Sequence, residues 1–595
     1  MDQVNHPKTA GETVHHGKSS IQTATSANSP GSQTDWQRVK WRKVHRLVRN
    51  LRHRIFRAAK VEDWDKVQSL QRLMLRSYAN TLLSVRQITQ RNDGKRTAGV
   101  DKLVALTPAA RGQLVDRLMV ETPWHVSPVK RVYIPKINDT LRPLGIPTIL
   151  DRCRQARVKN ALEPAWEAHF EATSYGFRPG RSCHDAIARI YTLAQGKARR
   201  KWVVDTDIKG AFDHLDHTYL LQAIGAFPGR ESIRQWLQAG YLDTDGWHPT
   251  DTGTPQGGPL SPLLLNVALH GLEAALGVSY DKWGSTKPST RLVVRYADAL
   301  VVFCPTQEDA QETVTRLETW LAQRGLRLAA EKTRLVHLTE GFTFLGFQIK
   351  LYPTSRGRSG YKLLITPSRE AVQRLRKRLR AIWHAHRGQA VQVVLGRLNP
   401  LIRGWAHYFR IGVASATFNA LDRFMLHRAM RYVNRRHPTK SHAWHRAKYW
   451  GPLHPQRKDT WVFGDTRTGA FLLKFRWFPI QRHILVPGTA SPDDPTLRDY
   501  WAARAMARAK DLPPSRRKLA LQQNGRCRQC GESLFNGEAL HVHHKLPRAQ
   551  GGTDTYANLE LLHASCHQHH HGRLRKRRPG RPQEPAPLGE RMWFA

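Results

Sequence analysis

The sequence predicts an α+β fold that is divided among several domains. Residues 202–204, 292–294 and 300–303 are short runs of β-branched, aliphatic and aromatic residues, which are typical of strands. Residues 361–450 instead repeat apolar positions at helical spacing among many Lys and Arg residues. A chain of 595 residues has room for more than one such unit. We therefore expect a mixed core of sheet and helix, followed by a helical domain.

The most informative stretch lies at residues 292–303. Two apolar runs flank Tyr296-Ala-Asp298-Ala299, a pattern that predicts a β-hairpin with a carboxylate at its tip. Asp is also common in turns for conformational reasons alone, so Asp298 by itself supports either interpretation. A second predicted strand leads into Asp207. Two carboxylates at the ends of adjacent strands can chelate a hard cation such as Mg²⁺.

Two further features lie near these carboxylates. Asp205 is a second candidate metal ligand, but strand alternation places it on the same face as Asp207 and deeper in the strand, so we favour Asp207. Residues 253–262 form a Gly- and Pro-rich loop whose backbone can approach a ligand closely. This loop opens onto a predicted helix at residues 263–276.

In this order, the strand ending in Asp207, the loop around Gln256 and the Tyr296-Ala-Asp-Ala hairpin resemble the palm of reverse transcriptases, and more narrowly the group II intron-encoded proteins. The resemblance implies a right-hand polymerase with fingers, palm and thumb. It makes Asp207 and Asp298 the catalytic carboxylates. It places the Mg²⁺ ligands at Asp207, Ile208 and Asp298.

Ala299 departs from the family hairpin, which carries Tyr-Ala-Asp-Asp. Losing a carboxylate beside the metal ions should weaken or misplace them, and small misplacements in positioned chemistry cost orders of magnitude in rate. We therefore expect a polymerase-deficient chain that keeps its RNA-binding surfaces. The surrounding motifs are intact, which favours a deliberate inactivating substitution over a natural element that dispenses with DNA synthesis.

Residues 131–136 and 141–147 predict a pair of strands that the resemblance identifies as the fingers. In the family, the matching Lys136 and Arg142 would hold the triphosphate of the incoming dNTP, because phosphoryl transfer needs cations opposite the phosphates. Without the family context, two solvated charges on a hairpin would give the same pattern.

Three further substrate-binding residues are implied by the resemblance. Phe212 matches the residue under the sugar that excludes a 2′-hydroxyl and so favours deoxynucleotides. Gln256 would line the nucleotide pocket. Lys332 lies in a block that resembles the last part of the palm, which holds the primer.

The charge of the chain indicates a polyanionic partner. Lys and Arg number 95 against 47 acidic residues, which leaves a formal charge of +48. Nucleic acid is the obvious partner, since solubility alone needs far less charge. The first three of the six Cys residues are widely scattered, which argues for a reducing compartment, and we find neither a signal peptide nor 18 consecutive apolar residues. We expect a soluble intracellular protein without membrane contact, located in the bacterial cytoplasm as a nucleoid-associated ribonucleoprotein or in an organelle; no oligomer is implied.

The N-terminal region predicts a disordered leader followed by helices. Residues 1–34 are rich in Ser, Thr, Gly and His without apolar periodicity. A helix is expected from Asp35, as N-cap, through Ile55, and a second over residues 64–84. Residues 86–101 resemble the family's N-terminal extension, a loop that would cover template RNA. We therefore assign residues 35–360 to fingers and palm with this extension.

Residues 361–455 predict a thumb or maturase domain. Apolar residues recur at 372, 375, 379 and 382 with cations around them, a pattern that also fits a membrane-surface helix. Residues 398–409 resemble the maturase signature, which implies binding of group II intron RNA through phosphate and shape. For Trp405, Tyr408 and Phe409, packing in the core and stacking on bases both remain open, with packing favoured.

The C-terminal part predicts two DNA-directed units and a tail. Residues 456–515 are basic and aromatic-rich and correspond to the family segment that binds target DNA; residues 516–580 would form a nuclease, and 581–595 a tail. The spacing of Cys527, Cys530, His563 and Cys566 is that of a structural Zn²⁺ site, although the family usually has Cys at position 563.

A second set of residues, interleaved with this quartet, matches the HNH nuclease and its ββα-metal fold. His544 would be the general base, and Asn558 would orient the loop and the base. The divalent metal beside the scissile phosphate would be held by His543, His567 and His571, with His569 and His570 as alternative ligands. A zinc knuckle without nuclease activity would need the quartet alone.

Three functional hypotheses follow. The first is an intron mobility enzyme that nicks DNA and primes cDNA synthesis from the cut. The second is a splicing cofactor that stabilises intron RNA without a working polymerase, and Ala299 favours it for this chain. The third, an RNA-virus or telomerase-like polymerase, would not be expected to carry residues 398–409 and an HNH end.

Overall fold

The computed structural model describes residues 34–120, 124–135, 141–195, 199–280, 287, 290–355 and 360–576, with side chains up to residue 572. Three predictions lie outside these residues: the leader apart from Thr34, Lys136 in the fingers, and the tail. Within the described residues, no helix combines the length and the apolar character needed to cross a membrane.

The N-terminal region is helical. Its helices are α1 (Trp41–Lys60), α2 (Trp64–Arg76), α3 (Tyr78–Arg86) and α4 (Pro108–Met119). The prediction of one helix over residues 64–84 is wrong, because Ser77 Oγ accepts a hydrogen bond from the N–H of Asn80 and so caps a new helix. Asp35 caps a short 3₁₀ turn, Trp36–Arg38, and α1 begins after it.

Fingers and palm are built on two four-stranded sheets. Their strands are β1 (Val129–Pro135), β2 (Leu141–Ile146), β3 (Trp202–Asp207), β4 (Tyr241–Leu242), β5 (Trp247–His248), β6 (Leu292–Tyr296), β7 (Ala299–Cys304) and β8 (Arg334–His337). The strand order is β2-β1-β4-β5 in the fingers and β6-β7-β3-β8 in the palm. The predicted strand pair of the fingers and the predicted hairpin of the palm are both confirmed as antiparallel pairs.

Helices surround these sheets. They are α5 (Ile149–Glu167), α6 (Cys183–Leu193), α7 (His217–Ile224), α8 (Arg230–Gln238), α9 (Ser261–Ala268), α10 (Leu272–Ala275) and α11 (Gln307–Ala322). The helix predicted at 263–276 is divided between α9 and α10, because Gly271 takes a left-handed φ of 88° between them.

The palm sheet is buried on both faces. Val203 and Val301 belong to a core shared with the thumb, whereas Val204 and Val302 belong to a core shared with the N-terminal helices. Because successive strand residues point to opposite faces, a strand between two cores needs apolar residues in succession. This explains why these strands have unbroken apolar runs.

A small sheet at the junction of palm and thumb packs against the thumb helices. Its strands are β9 (Phe342–Phe344), β10 (Phe347–Pro353) and β11 (Tyr361–Pro367). The thumb helices are α12 (Arg369–Ala385), α13 (Val391–Phe409), α14 (Ser415–Arg436) and α15 (His442–Tyr449). The predicted stripe on α12 is buried at Leu375 and Leu379. The Trp405 and Phe409 rings lie 4.3 Å apart, and Trp405 also meets Phe475 edge-on, which supports core packing for these residues.

The C-terminal region ends in the order strand, strand, helix. Its elements are β12 (Trp450–Gly451), β13 (Val462–Asp465), β14 (Ala470–Phe471), α16 (Arg498–Met506), α17 (Pro514–Gln522), β15 (Leu540–His544), β16 (Leu559–His563) and α18 (Ala564–Lys576). The segment before α16 returns to the polymerase body. There, buried Asp185 accepts hydrogen bonds from His483 Nε2 and Arg504 Nη2, each at 2.9 Å.

A buried ion pair fixes the loop that supports the palm hairpin. Both Arg178 and Glu167 have side chains no more than 1% exposed, and their two parallel hydrogen bonds measure 3.0 Å. Arg178 also donates to the carbonyl of Ser174 at 3.0 Å. The loop between them therefore has little freedom to move.

We expect Arg178→Met to lower the stability of the chain by about 3–5 kcal/mol, because it leaves Glu167 buried without its cation. The measurement is the denaturant midpoint of the first unfolding transition. Arg234→Met is the matched control; it breaks the exposed Arg234–Glu231 pair, which solvent screens, and should leave the midpoint almost unchanged. Equal losses in both variants would contradict the expectation.

Candidate active sites and metal centres

The palm site is built on the end of β3 and the turn between β6 and β7. Asp207 pairs with Ala299 across the sheet, and Tyr296 pairs with Ala299 across the hairpin. The turn consists of Ala297 and Asp298, and the carbonyl of Asp298 accepts a hydrogen bond of 3.0 Å from the N–H of Ile208. Asp298 is therefore attached directly to the residue that follows Asp207.

The turn that carries Asp298 has a strained backbone. Ala297 takes a φ of 60°, and positive φ at the first central residue of a two-residue hairpin is the feature of a type II′ turn, which normally prefers Gly. Gly176 lies directly against it, since a Cβ on Gly176 would come within 2.3 Å of the Ala297 nitrogen. Strained residues of this kind cluster at functional sites because the surrounding structure holds them.

Two cations offset the charge of the carboxylates. Lys332 Nζ lies 2.6 Å from Asp207 Oδ2, and this hydrogen bond raises the pKa of Lys332. Burial raises the pKa of Asp298; Asp207 adds to the increase, while Arg142 and Lys332 oppose it. The influence of Asp207 on the pKa of Asp298 places both carboxylates in one electrostatic site. Two nearby carboxylates repel each other unless a cation lies between them.

Asp205, the rival candidate, has a separate partner. Its Oδ2 lies 2.9 Å from Arg334 Nη2 on the neighbouring strand β8. Burial raises the pKa of Asp205 to about 6, although Arg334 opposes the increase. Asp205 is thus engaged in an ion pair deeper in the sheet.

Arg142 and Gln256 connect the fingers with the palm. Arg142 Nε donates to Gln256 Oε1 at 2.8 Å, and Gln256 Nε2 donates in turn to the Asp213 carboxylate at 2.9 Å. Phe212, next to Asp213, is buried and meets the ring of Phe177 edge-on at 6.1 Å. The structure describes four of the predicted substrate residues. Arg142, Gln256 and Phe212 lie around the loop at residues 253–262, and Lys332 contacts the carboxylate of Asp207.

Ala299 occupies the first position of β7, opposite Asp207. It is half-buried and packs at the edge of the thumb-side core. A carboxylate at this position would add a third acidic group next to Asp207 and Asp298. The methyl group offers no oxygen ligand.

Four buried side chains near the C-terminus form a compact quartet. The ligand atoms of Cys527, Cys530, His563 and Cys566 all lie within 4.8 Å of one another. Cys530 Sγ is 3.4 Å and Cys566 Sγ is 3.9 Å from His563 Nδ1. The other ring nitrogen, Nε2, is 3.0 Å from the carbonyl of Ser533, which accepts a hydrogen bond from it and fixes the ring. The quartet can hold a metal ion.

Three histidines form a second group with mutual ligand distances below 4.8 Å: His543, His567 and His571. His567 and His571 stand four residues apart on α18, which places them on one face, and their Nε2 atoms are 3.2 Å apart. Burial first, and then the neighbouring imidazoles, lower the pKa of His543 and His567 to about 4. Both rings are therefore neutral at pH 7, the form that coordinates metals.

His544 and Asn558 lie beside this group in a defined loop. His544 Nε2 is 2.7 Å from Asp554 Oδ1, and Asp554 also binds Arg548. Asn558 closes the loop, since its Nδ2 donates to the carbonyls of Leu546 and Thr553 at 3.0 and 2.8 Å. The predicted base and the predicted loop-orienting residue are thus both held by contacts.

Sequence reasoning missed three polar partners of these sites. They are Asp213, which is hydrogen-bonded to Gln256, Arg334, which is hydrogen-bonded to Asp205, and Asp554, which is hydrogen-bonded to His544. Asp554 follows Gly551-Gly-Thr between the two nuclease strands, where a turn was to be expected, but no motif marks it. Asp213 and Arg334 lie within stretches that resemble the family, but the sequence assigns neither of them a role.

We expect Gly176→Ala to loosen the palm hairpin, because the new methyl group would overlap the backbone of Ala297. Hydrogen–deuterium exchange of the peptide that spans residues 294–300 should rise. Gly396→Ala is the control, since a Cβ there meets nothing within 4 Å. Unchanged exchange in Gly176→Ala would show that the close approach does not hold the turn.

Comparisons with known proteins agree with this architecture. Residues 134–349 match the family described as reverse transcriptase (RNA-dependent DNA polymerase), and residues 36–118 match its N-terminal domain. Residues 372–450 match the group II intron maturase-specific domain, and residues 527–573 match HNH endonucleases. The matched ranges contain the palm carboxylates, the thumb helices and both Cys/His groups.

Several curated proteins are similar to the chain. Protein YkfC of Escherichia coli (strain K12) is 32% identical over 321 residues, which cover 48% of this chain and 83% of YkfC. Group II intron-encoded protein LtrA of Lactococcus lactis subsp. cremoris is 32% identical over 288 residues, 38% of this chain and about half (48%) of LtrA. Maturase-like protein 1 of Euglena gracilis is 26% identical over 63% of this chain and 77% of its own length. The chain therefore belongs to the group II intron-encoded reverse transcriptase and maturase family and carries an HNH domain.

Proposed function

We propose that this chain serves group II intron splicing and mobility, as a maturase that aids splicing and reverse splicing and as an HNH endonuclease that nicks target DNA to prime cDNA synthesis. It also carries an RNA-directed DNA polymerase, which Ala299 would disable. The observation that carries the proposal is the presence, on one chain, of the Asp207 and Asp298 strand-end pair, the maturase thumb and the histidine group beside His544. The partners would be intron RNA, target DNA and, for the polymerase, dNTPs. The alternative is a splicing cofactor without a working polymerase.

In the polymerase site, Asp207, the backbone of Ile208 and Asp298 would hold Mg²⁺, which takes oxygen ligands. When bound, two such ions would supply the charge that activates a primer hydroxyl and neutralises the leaving pyrophosphate. Arg142, which already acts on Asp298 electrostatically, would bind the triphosphate together with Lys136. Lys332, which pairs with Asp207 in the structure, would face the primer.

Phe212 and Gln256 would select and position the nucleotide. Phe212 is held by Phe177 and by a hydrogen bond from the N–H of Thr254 to its carbonyl at 2.6 Å, so its ring can act as a fixed wall against a 2′-hydroxyl. Gln256 is oriented by Asp213 on one side and Arg142 on the other. Such fixed contacts are what positioning of a substrate requires.

Ala299 would leave this polymerase site impaired. Two carboxylates remain, one of them paired with Lys332, so fewer anionic ligands are available to draw a divalent cation from water. A metal held by too few ligands is weakly bound and poorly placed. RNA binding by the thumb does not depend on these ligands, so maturase function would persist.

In the nuclease site, His544 would act as the general base. If Nε2–H donates to Asp554, then Nδ1 is left as the basic nitrogen that takes a proton from water. His543, His567 and His571 would hold a divalent ion, for example Mg²⁺, that stabilises charge on the phosphate. Asn558 would keep the loop between the strands, and with it His544, in place.

The quartet would hold a structural Zn²⁺. Zn–S bonds of about 2.3 Å and a Zn–N bond of about 2.0 Å in tetrahedral geometry separate sulfur from nitrogen by about 3.5 Å. The measured separations from His563 Nδ1, 3.4 and 3.9 Å, fit this requirement. All four residues are buried, as is usual for a closed structural site.

We retain the domain boundaries as part of the proposal: fingers and palm at 35–360, thumb at 361–455, DNA-binding segment at 456–515 and nuclease at 516–580. The relatives come from bacteria and from eukaryotic introns. A cytoplasmic ribonucleoprotein on the bacterial nucleoid, or an organellar one, is the setting that fits them.

We expect Ala299→Asp to raise primer extension on an RNA template by about 100-fold or more, because it restores an oxygen ligand at a position where misplacement is costly. Ala299→Asn is the matched control, since it has the same shape without the charge and should stay near the starting rate. No gain in the Asp variant would contradict the palm assignment. A chain that already extends primers as fast as Ala299→Asp would contradict the proposed deficiency.

We expect His544→Ala to reduce nicking of target DNA by the ribonucleoprotein by about 100-fold or more, because a general base typically contributes that much. Intron splicing in the same preparation should not change, since the thumb and palm are untouched. Bound zinc per chain, measured by atomic emission, should also be unchanged and so exclude unfolding. Nicking at the original rate would refute the role of His544.

A further inference from the structure

Arg86 reaches from the N-terminal helices into the nuclease. It is the last residue of α3, and its side chain is among the largest that are fully buried in the described chain, with 1% exposed. Its Nη2 donates to Ser565 Oγ at 2.9 Å and to Cys566 Sγ at 3.0 Å. Cys566 belongs to the quartet. A polymerase-side cation thus touches a ligand of the metal centre 480 residues later in the chain.

No carboxylate lies within ion-pair distance of Arg86 in the described part of the chain. The nearby Glu538 is bound instead by Arg91, at 2.5 Å, and by the hydroxyl of Ser565. The guanidinium of Arg86 lies over the ring of Trp41, 4.3 Å from its centre. A ring face attracts a cation but carries no net charge, so burial of Arg86 still needs an anion.

The quartet supplies that anion when it holds zinc. Three thiolates and one neutral imidazole around a divalent ion leave one net negative charge. Without the metal, nothing holds the four ligands in this arrangement beside Arg86. The charge of the loaded centre therefore matches the single charge of Arg86, and a hydrogen bond to a thiolate is stronger than one to a thiol.

Other contacts surround this pair and define what we name the zinc joint: Trp41, Arg86 and Arg91 on the N-terminal side, and Glu538, Ser565 and Cys566 on the nuclease side. The side chains of Arg91 and Glu538 are 17% and 9% exposed, so water has little access to this ion pair. At the rim, Arg49 contacts Glu532 at 2.6 Å with both side chains partly exposed. Arg86 contacts the metal ligand Cys566 from the N-terminal side of the joint.

We propose that the zinc-bound thiolate of Cys566 is the counter-charge of Arg86, so that zinc loading determines whether the nuclease docks on the N-terminal helices. Arg86 is a positioning residue; it acts on the nuclease through the metal centre and touches no substrate. The inference rests on the zinc assignment made above. Zinc would then hold the nuclease against the N-terminal helices, in addition to stabilising the fold of the nuclease.

The test uses the full chain and hydrogen–deuterium exchange of peptides from α1, α3 and residues 536–566. Removal of zinc from the unchanged chain by a chelator should raise exchange in the N-terminal peptides, which contain no zinc ligand. Arg86→Met should do the same while one zinc per chain is still bound, and should speed zinc loss to the chelator by about 10–100-fold. Arg86→Lys should restore part of the protection, because it keeps the charge.

Arg49→Met is the matched control. It removes a cation from the exposed rim of the same surface and should change neither exchange nor zinc release. Unaltered N-terminal exchange after zinc removal from the unchanged chain would overturn the inference, whatever the variants do. So would zinc release from Arg86→Met at the original rate. A purified chain with zinc far below one equivalent would overturn the zinc assignment itself.

Discussion

The antiparallel pairing of β3 with β7 is the constraint on which the palm depends. It sets Asp207 opposite Ala299 and ties the carbonyl of Asp298 to the N–H of Ile208. A shift of one residue in this register would turn every side chain of a strand to the other face. Here the two faces of the sheet belong to two different hydrophobic cores. A shift would move each apolar side chain of the strand into the other core and would also misplace the carboxylates.

The electrostatic state of the palm follows from that geometry. The pairing places Asp207 and Asp298 within one site, where burial already disfavours the charge of Asp298. In the structure, Lys332 and Arg142 offset the repulsion. A third carboxylate at position 299 would attract divalent cations more strongly. With alanine there, Lys332 and Arg142 already offset most of the negative charge of the two carboxylates. The HNH end has no such deficit, since His543 and His567 are neutral and lie close to His571.

Local patterns could be predicted from the sequence, whereas contacts between distant parts could not. The hairpin of residues 292–303, the α12 stripe and the Cys/His quartet follow from alternation, helical period and ligand spacing. The break at Ser77 was missed because the helical period continues through it and a capping serine is a weak local signal.

In the candidate sites, the sequence predicts the residues that lie in family motifs, but it does not predict the polar residues that contact them. Asp213 on Gln256 and Arg334 on Asp205 are polar residues whose role depends on which loop or strand lies beside them. Arg86 looks like any helix cation in the sequence, and its contact with Cys566 needs the docking of two domains. Such contacts depend on tertiary structure, which neither periodicity nor spacing encodes.

We infer that Asp207 and Asp298 form one cation site at the strand ends. Anomalous diffraction from crystals soaked in Mn²⁺ tests it most directly, because Mn²⁺ accepts the same oxygen ligands as Mg²⁺ and can be located without ambiguity. We expect a peak between the two carboxylates, with Lys332 displaced from Asp207. A site without Mn²⁺ at high concentration, with the two carboxyl groups pointing apart, would contradict the claim.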